Sequence, residues 1–138
     1  MIPKGGVRTR AAMQLLAALI RNVAETKPNA ADPRLRTRLY PLSLETVWGA
    51  VVRLVDAQEG WTVRDVRPDN GLIEVEARTR LLRFTDDVTI RVRPGSGRRI
   101  AVDLTSRSRL GKADLGTNTR RIGRFLEALD AELTVPRS

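Results

Sequence analysis

The sequence predicts a two-layer α+β sandwich in which two amphipathic helices cover one face of a four-stranded antiparallel sheet. Apolar residues recur with a helical period in two segments, and between these segments lie four shorter ones in which apolar and polar residues alternate. A sheet with one apolar face needs a cover, and two such helices provide it. At 138 residues, the chain has the length of one modest domain.

The composition excludes several classes of chemistry. The chain has no cysteine and no histidine, which excludes disulfides, triads that depend on histidine, and zinc sites built on either residue. The net charge is +9, of which residues 1–40 carry +6 and residues 41–138 carry +3. Such a charge keeps nucleic acids and anionic membranes open as partners without selecting either of them.

Residues 9–24 predict a short helix. Its apolar stretch, residues 11–20 with Gln14 as the main interruption, is only about half the length that a membrane span needs. Basic residues precede it as in a signal peptide, but Arg21 and Asn22 follow where small residues would mark a cleavage site. We therefore expect a helix docked on its own domain or on a partner. A signal peptide or a membrane-surface anchor is the alternative.

Residues 25–39 predict an extended basic linker, because Pro28 and Pro33 disfavour helix and no apolar period is present. The predicted organisation is therefore an N-terminal helix and linker over residues 1–39, a compact α+β domain over residues 40–134, and a tail over residues 135–138.

The compact domain is expected to begin with a helix after Ser43, an N-cap residue flanked by Leu42 and Val47 at the hydrophobic-staple positions. Gly60 provides a C-terminal stop. The apolar face of this helix consists of Leu44, Val47, Trp48, Val51 and Val55.

Four strands and a final helix complete the predicted domain. The strands cover residues 61–67, 71–78, 86–93 and 98–106, and the turn sequence Pro-Asp-Asn-Gly joins the first two. The helix covers residues 117–133, with an apolar stripe of Ile122, Phe125, Leu126, Leu129 and Leu133. This helix–four-strand–helix order is similar in outline to helix-grip domains, a likeness of layout that implies no shared function.

The pairing of the last two strands can be predicted further. Their apolar residues all have even numbers: Val88, Ile90, Val92, Ile100, Val102 and Leu104. For these residues to share a face, the connecting loop must have an odd length. The tripeptide Gly-Ser-Gly at 95–97 satisfies this, with Val92 opposite Ile100 and Asp87 opposite Thr105. The other face, which is then hydrated or in contact with a partner, carries Thr89, Arg91, Arg93, Asp103 and Thr105.

Asp86 and Asp87 are adjacent carboxylates at the start of a strand. Successive strand residues point to opposite faces, so the pair cannot converge on one substrate atom as a catalytic dyad would. With Thr105 opposite, Asp87 has Arg107 diagonally within reach. Asp86 points inward and needs a partner, since an unpaired buried charge is costly; the arginines or amides of the following loop can supply one.

The segment from Ser106 to Arg121 combines arginines and two glycines ahead of the last helix. Thr117 or Asn118 can cap this helix, and Arg120 and Arg121 fall in its first turn, where cations are unfavourable and anions bind. A bound phosphate or carboxylate would compensate these arginines, as would an acid of the same chain; we favour the acid. A ligand site at this joint would draw on Asp86, Asp87, Arg107, Arg109, Asp114, Asn118, Arg120 and Arg121.

Three stretches of the chain carry a family resemblance: EARTRLLRFTDDVTIRV (76–92), SRSRLGKADLGTNTRRIGRFL (106–126) and RNVAETKPNAADPRL (21–35). The first contains Phe84, one residue, then Asp86-Asp87-Val88. The second contains Ser108, Arg109, Gly111, Asp114, Leu115, Gly116, Asn118, Arg120, Arg121 and Ile122 at the family's spacing. Over about residues 21–133 the chain resembles the bacterial and plastid family called domain of unknown function 1499. The resemblance implies no assigned activity, substrate or cofactor.

The sequence therefore favours a non-catalytic binding or interaction module. Its polar sheet face or its arginine-rich joint would contact an anionic small molecule, a lipid headgroup or a protein. The alternative is a nucleic-acid or anionic-membrane binder that uses the basic N-terminal segment. An enzyme with a site around Asp86, Asp114, Asn118 and Arg120 ranks third, because no catalytic groups converge.

No catalytic residue, cofactor or metal site is predicted. The chain lacks a phosphate-binding loop of known spacing and a loop with regularly spaced carboxylates. A cytoplasmic location is favoured, with peripheral membrane attachment or export as the alternatives, and no transmembrane span is expected.

Overall fold

The structure, a computed structural model, describes residues 23–79, 84–109 and 116–134. These residues form six strands and two helices: β1 Val23–Glu25, β2 Arg38–Tyr40, α1 Leu44–Ala57, β3 Trp61–Arg67, β4 Leu72–Arg78, β5 Thr85–Pro94, β6 Ile100–Ser108 and α2 Thr117–Thr134. Short 3₁₀ turns cover Pro33–Leu35, Pro68–Asn70 and Ser96–Arg98. The predicted α+β class is confirmed.

All six strands belong to one antiparallel sheet. The order along the sheet is β1, β6, β5, β4, β3, and β2 also pairs with β6. The two short strands share the outer edge of β6, where β1 lies along residues 105–107 and β2 along residues 100–102. The prediction of four strands was wrong because β1 and β2 are only three residues long, too short for an alternating pattern to be visible.

Residues 25–39, predicted as a linker, contribute to the sheet and its edge. The Thr26 N–H donates to the Leu104 carbonyl at 2.9 Å, and Leu35 packs against the core. The 3₁₀ turn after Asp32 is capped by that carboxylate, which accepts from the Arg34 N–H. Most of the predicted helix over residues 9–24 lies outside the described residues, but its last two positions, 23 and 24, are in β1.

The segment is also fixed to the last helix through Asp130. The Tyr40 hydroxyl donates to one oxygen of this carboxylate at 2.6 Å, and the Arg38 Nε donates to the other at 3.0 Å. Burial and the contact with the Asp130 carboxylate raise the pKa of Tyr40. The phenol therefore stays protonated and retains this hydrogen bond at neutral pH.

Helix α1 begins as predicted, since the Ser43 hydroxyl accepts from the Thr46 N–H at 3.1 Å. It ends at Ala57, three residues before Gly60, which has a left-handed backbone with φ of +80°. Its buried residues are Val47, Ala50, Val51 and Val55. Leu44, predicted on this apolar face, is 44% exposed because it occupies the first helical position beyond the edge of the core.

Helix α2 packs on the same inner face of the sheet and against α1. Its apolar stripe matches the prediction, with Ile122, Phe125, Leu126 and Leu129 buried and Leu133 at the margin. The ring of Phe125 stacks on Trp61 with centroids 5.5 Å apart. The core therefore lies between the two helices and the even-numbered side chains of β5 and β6.

The predicted register of β5 and β6 was wrong by two residues. Val92 lies opposite Val102, and Asp87 opposite Arg107, rather than opposite Ile100 and Thr105. The loop between the strands has five residues, 95–99, instead of three. Because three and five are both odd, the predicted faces were nevertheless right: even-numbered residues face the helices and odd-numbered residues face outward.

Candidate functional site

The joint between the sheet and α2 contains a buried polar cluster. Asp86 is 3% exposed, while Ser106 and Asn118 are fully buried. Asp86 comes from β5, where it lies between Ala77 of β4 and Ser108 of β6. These residues meet because Asp86, Ser106 and Ser108 continue the even-numbered face of their strands past the apolar core, under the first turn of α2.

Arg121 of α2 is the centre of this cluster. Its Nη1 forms an ion pair with the Asp86 carboxylate at 2.8 Å, and it donates to the Asn118 amide oxygen at 2.9 Å and to the Ser106 hydroxyl at 3.1 Å. The Ser106 hydroxyl also donates to the Asn118 amide oxygen at 2.6 Å, and the Asn118 amide nitrogen donates to the Ser108 hydroxyl at 2.9 Å. The cluster therefore connects β5, β6 and α2 through groups that bind one another.

The arginine in the first turn of α2 is thus compensated from within the chain. Asp86 supplies the countercharge to Arg121, one of the two outcomes that the sequence left open. Asn118 lies inside the helix and contacts β6, while Gly116 occupies the N-cap position and its carbonyl accepts from the Arg120 N–H at 2.9 Å. The Arg120 guanidinium contacts the Thr117 hydroxyl at 3.3 Å.

Asp87 lies on the opposite face of the sheet from Asp86, as expected for adjacent strand residues. The Arg109 guanidinium contacts both Asp87 oxygens, with its Nη2 2.8 Å from Oδ1. Arg109 also contacts Glu76, which in turn contacts Arg64 of β3. The bond from Arg109 lowers the pKa of Glu76. This exposed chain of ion pairs spans four segments of the outer face.

Two of the predicted site residues, Arg107 and Asp114, belong to neither description above. Arg107 lies opposite Asp87 on the outer face and is exposed, without an ion pair to any residue that the structure describes. Asp114 lies outside the described residues. Of the eight predicted residues, Asp86, Asn118 and Arg121 belong to the buried cluster, and Asp87 and Arg109 belong to the exposed ion-pair chain.

A second polar network on the outer face was not predicted. Asp103 accepts from the hydroxyls of Thr26 at 2.7 Å and Thr37 at 2.5 Å through Oδ1, and from Arg93 at 2.9 Å through Oδ2. The Thr26 hydroxyl also accepts from the Leu104 N–H at 3.0 Å. This network attaches the N-terminal segment to β6 and neutralises the Asp103 carboxylate.

Two depressions that share Thr89 lie on the outer face of the described part of the sheet. The first, which we call the Glu74 depression, has a volume of about 310 Å³ and is lined by the side chains of Arg64, Glu74, Asp87, Thr89 and Arg109. The second, which we call the Lys27 depression, has a volume of about 280 Å³. Its lining residues are Glu25, Thr26, Lys27, Pro28, Thr89, Arg91, Arg93, Asp103 and Thr105.

Sequence reasoning missed several residues of these sites. Ser106 and Ser108 were missed although they continue the even-numbered pattern of Ile100, Val102 and Leu104, which was a usable signal. Thr26 and Thr37 were missed because they belong to the segment interpreted as a linker, where no local pattern indicates contact with Asp103.

The motifs at residues 76–92 and 106–126 lie within a match to a known protein family. The model of a protein family described as a protein of unknown function (DUF1499) matches residues 8–129. The chain belongs to this family. The DUF1499 match confirms the resemblance stated above and extends it from residue 21 back to residue 8. No curated protein matches the DUF1499 chain.

Two further findings concern the described part of this DUF1499 domain. No helix within residues 23–79, 84–109 and 116–134 is both long and apolar enough to cross a membrane. Within the same ranges, no three acidic side chains gather in an arrangement that would hold a metal ion.

Proposed function

We propose that this DUF1499 domain is a non-catalytic binding module that holds a small anionic ligand on the outer face of its sheet. The observation that carries the proposal is the contrast between the two polar regions. The polar groups of the joint bind one another and are buried, whereas the outer face has no covering element among the described residues and contains two depressions.

The joint is less suited to a ligand than the outer face. Any anion that bound Arg121 would have to displace Asp86 and leave a buried carboxylate without its partner, which is costly. On the outer face, by contrast, the carboxylates and guanidinium groups are already hydrated. A ligand there replaces water at little cost, because exposed ion pairs contribute little to stability.

The charges of the outer face favour a small ligand over a polyanion. Arginines alternate with Glu74, Glu76, Asp87 and Asp103, so the face lacks the continuous positive stripe that follows a nucleic-acid backbone. Aromatic side chains for base stacking are also missing from the outward positions of β5 and β6. Of the basic N-terminal segment on which the nucleic-acid and membrane alternative rests, residues 1–22 lie outside the described residues.

The proposal is tested by blocking the shared residue of the two depressions. Thr89→Trp would fill part of both, and Arg124→Trp, on the exposed side of α2 away from the sheet, is the matched control. Both variants and the natural protein would be screened with anionic metabolites by thermal shift and native mass spectrometry. We expect a compound that binds the natural protein and the control but not the folded Thr89→Trp variant.

Two results would contradict the proposal. A compound that binds the Thr89→Trp variant as tightly as the natural protein would place the site elsewhere. A screen in which no anion binds the natural protein would remove the proposed function itself.

A further inference from the structure

The two depressions differ in the charge that they offer to a ligand. In the Glu74 depression, two arginines face two acids, and both arginines are already paired with carboxylates. The lining of the Lys27 depression has three cations, Lys27, Arg91 and Arg93, and two acids, Glu25 and Asp103. The Lys27 depression therefore has an excess of one positive charge.

One of these two acids, Asp103, has its charge offset by Arg93. Both oxygens of Asp103 accept hydrogen bonds, from Thr26 and Thr37 on one side and from Arg93 on the other. Arg91 and Lys27, in contrast, have no ion pair among the residues that the structure describes. Two cations are thus left to act on whatever enters the depression.

The floor of the depression adds two hydroxyl donors. Thr89 of β5 and Thr105 of β6 lie directly opposite each other and point outward. Opposed residues of an antiparallel pair have Cβ atoms about 4.5–5.5 Å apart, so one compact group can contact both hydroxyls. Neither hydroxyl has a hydrogen-bond partner within the described part of the chain, and both side chains are half-buried.

The positions of the cations are fixed by the backbone. Arg91 follows Thr89 on the same face of β5, about 7 Å further along the strand. Lys27 follows β1, and its backbone is held on both sides: its N–H donates to the Leu35 carbonyl at 2.8 Å, and its carbonyl accepts from the Thr37 N–H at 3.1 Å. Floor donors and flanking cations therefore surround one small volume.

We propose that the Lys27 depression is an oxyanion site in which Thr89 and Thr105 donate hydroxyl hydrogen bonds to a phosphate or carboxylate group, while Arg91 and Lys27 supply its countercharge. A guanidinium binds two oxygens of such a group at once, and an ammonium acts as a point charge beside them. This assignment rests on the proposed function above and gives it a location and a ligand chemistry.

Replacing Glu25 should change the affinity for an anion in the opposite direction to replacing Arg91. Glu25 lies opposite Thr105, on the rim of the depression, and it has no cationic partner within the described residues. Its carboxylate opposes a bound anion, so Glu25→Gln should tighten binding while Arg91→Gln weakens it. A site elsewhere on the molecule would not respond to both changes in this way.

The experiment is a titration of the ¹⁵N-labelled protein with inorganic phosphate, and separately with succinate, at constant ionic strength. We expect saturable shifts of the backbone amides of residues 25–27, 89–91 and 105. Arg91→Gln should weaken binding roughly tenfold, the loss expected for one charge-assisted contact. Arg124→Gln, on the exposed side of α2, is the control and should leave the affinity unchanged, and the dispersion of each spectrum reports that the variant is folded.

Binding to lipid vesicles distinguishes an oxyanion on a lipid headgroup from one on a soluble ligand. Binding to phosphatidylglycerol but not to phosphatidylcholine vesicles, with loss in Arg91→Gln, would assign the group to a lipid headgroup. Saturable binding of free phosphate or succinate would assign it to a soluble ligand.

The inference and the proposed function fail in different ways. Binding that is lost in Arg64→Gln but kept in Arg91→Gln would overturn the oxyanion site and leave a ligand on the outer face, in the Glu74 depression. Binding that is insensitive to Thr89→Trp would overturn both. Shifts that never saturate would show that no site exists in the Lys27 depression.

Discussion

Replacing Arg121 by methionine tests whether the joint is structural. Methionine keeps most of the length of the side chain but removes the three contacts to Asp86, Asn118 and Ser106. The Arg121 and Asp86 side chains are only 12% and 4% exposed. The variant therefore leaves a carboxylate buried without its partner.

The expected loss of stability is large. Removing one member of a buried ion pair costs about 3–5 kcal/mol, because the remaining charge stays desolvated. In a domain of this size each kcal/mol lowers the melting temperature by roughly 3–5 °C, so the melting temperature should fall by about 9–25 °C. Total stabilities of about 5–15 kcal/mol are typical, so this one side chain accounts for a large share.

Arg109→Met is the matched control for this measurement. Arg109 also contacts two carboxylates, but its side chain is 46% exposed and its partners remain hydrated when it is removed. Urea and thermal unfolding followed by circular dichroism should therefore show little change for Arg109→Met. Added salt should weaken the Arg109 contacts and leave the buried pair nearly unaffected.

A double-mutant cycle of Arg121→Met with Asp86→Asn measures the coupling between these two side chains. Since the two side chains contact each other, the cycle should give a coupling energy of roughly 1–3 kcal/mol. Equal losses in Arg121→Met and Arg109→Met, or strictly additive effects in the cycle, would refute the structural role. If Arg121→Met were as stable as the natural protein but no longer bound an anion, the joint would be the ligand site.

Three further predictions follow from single residues. Tyr40 is the only tyrosine of the chain, and because its pKa is raised the folded protein keeps the phenolic proton above pH 10, about where the unfolded chain loses it. The free energy of unfolding should therefore fall as the pH rises above about 10. A tyrosinate absorbance that appears at that pH in the folded state would contradict this. Gly71→Ala should destabilise the fold by well above the roughly 1–2 kcal/mol that a left-handed backbone costs, because the new Cβ would lie 1.9 Å from the Val92 carbonyl oxygen. Gly97→Ala, with φ of +67° and no atom within 3.4 Å of the new Cβ, should cost only that amount. Equal losses of stability in urea unfolding would show that the contact with Val92 is relieved. Ser106→Ala should lower the stability by about 1–3 kcal/mol, since it removes a buried hydroxyl that both donates and accepts, and a neutral effect in the same assay would mean that its partners find others.

The sequence predicted the elements with long periodic patterns and missed those without them. Both helices and four strands carry an alternation or a helical stripe that their burial in one core requires. Strands β1 and β2 are formed by pairing with β6 and by the threonine contacts to Asp103, interactions that join residues 66 and 77 positions apart. Such contacts leave no local trace in the sequence.

The candidate site was predictable to a similar degree. The need of Asp86 for a partner followed from its inward position, and the partner was among the arginines of the joint. The exact opposed residues of β5 and β6 did not follow, because two Gly-containing loops of odd length satisfy the same alternation. The Lys27 depression could not be found, since four of its lining residues belong to the segment interpreted as a linker.

The shared edge of β6 determines the order in which this chain can fold. Residues 23–40 are synthesised before β6, yet β1 and β2 have no partner until residues 100–108 have been synthesised. The hydrogen bond from Tyr40 to Asp130 requires helix α2 as well, because Asp130 comes 90 residues after Tyr40. Because contacts between distant residues form slowly, the hairpins from β3 to β6 can form before β1 and β2 pair with β6. We therefore expect folding of this domain to begin at these hairpins rather than at residues 23–40, although those residues are synthesised earlier.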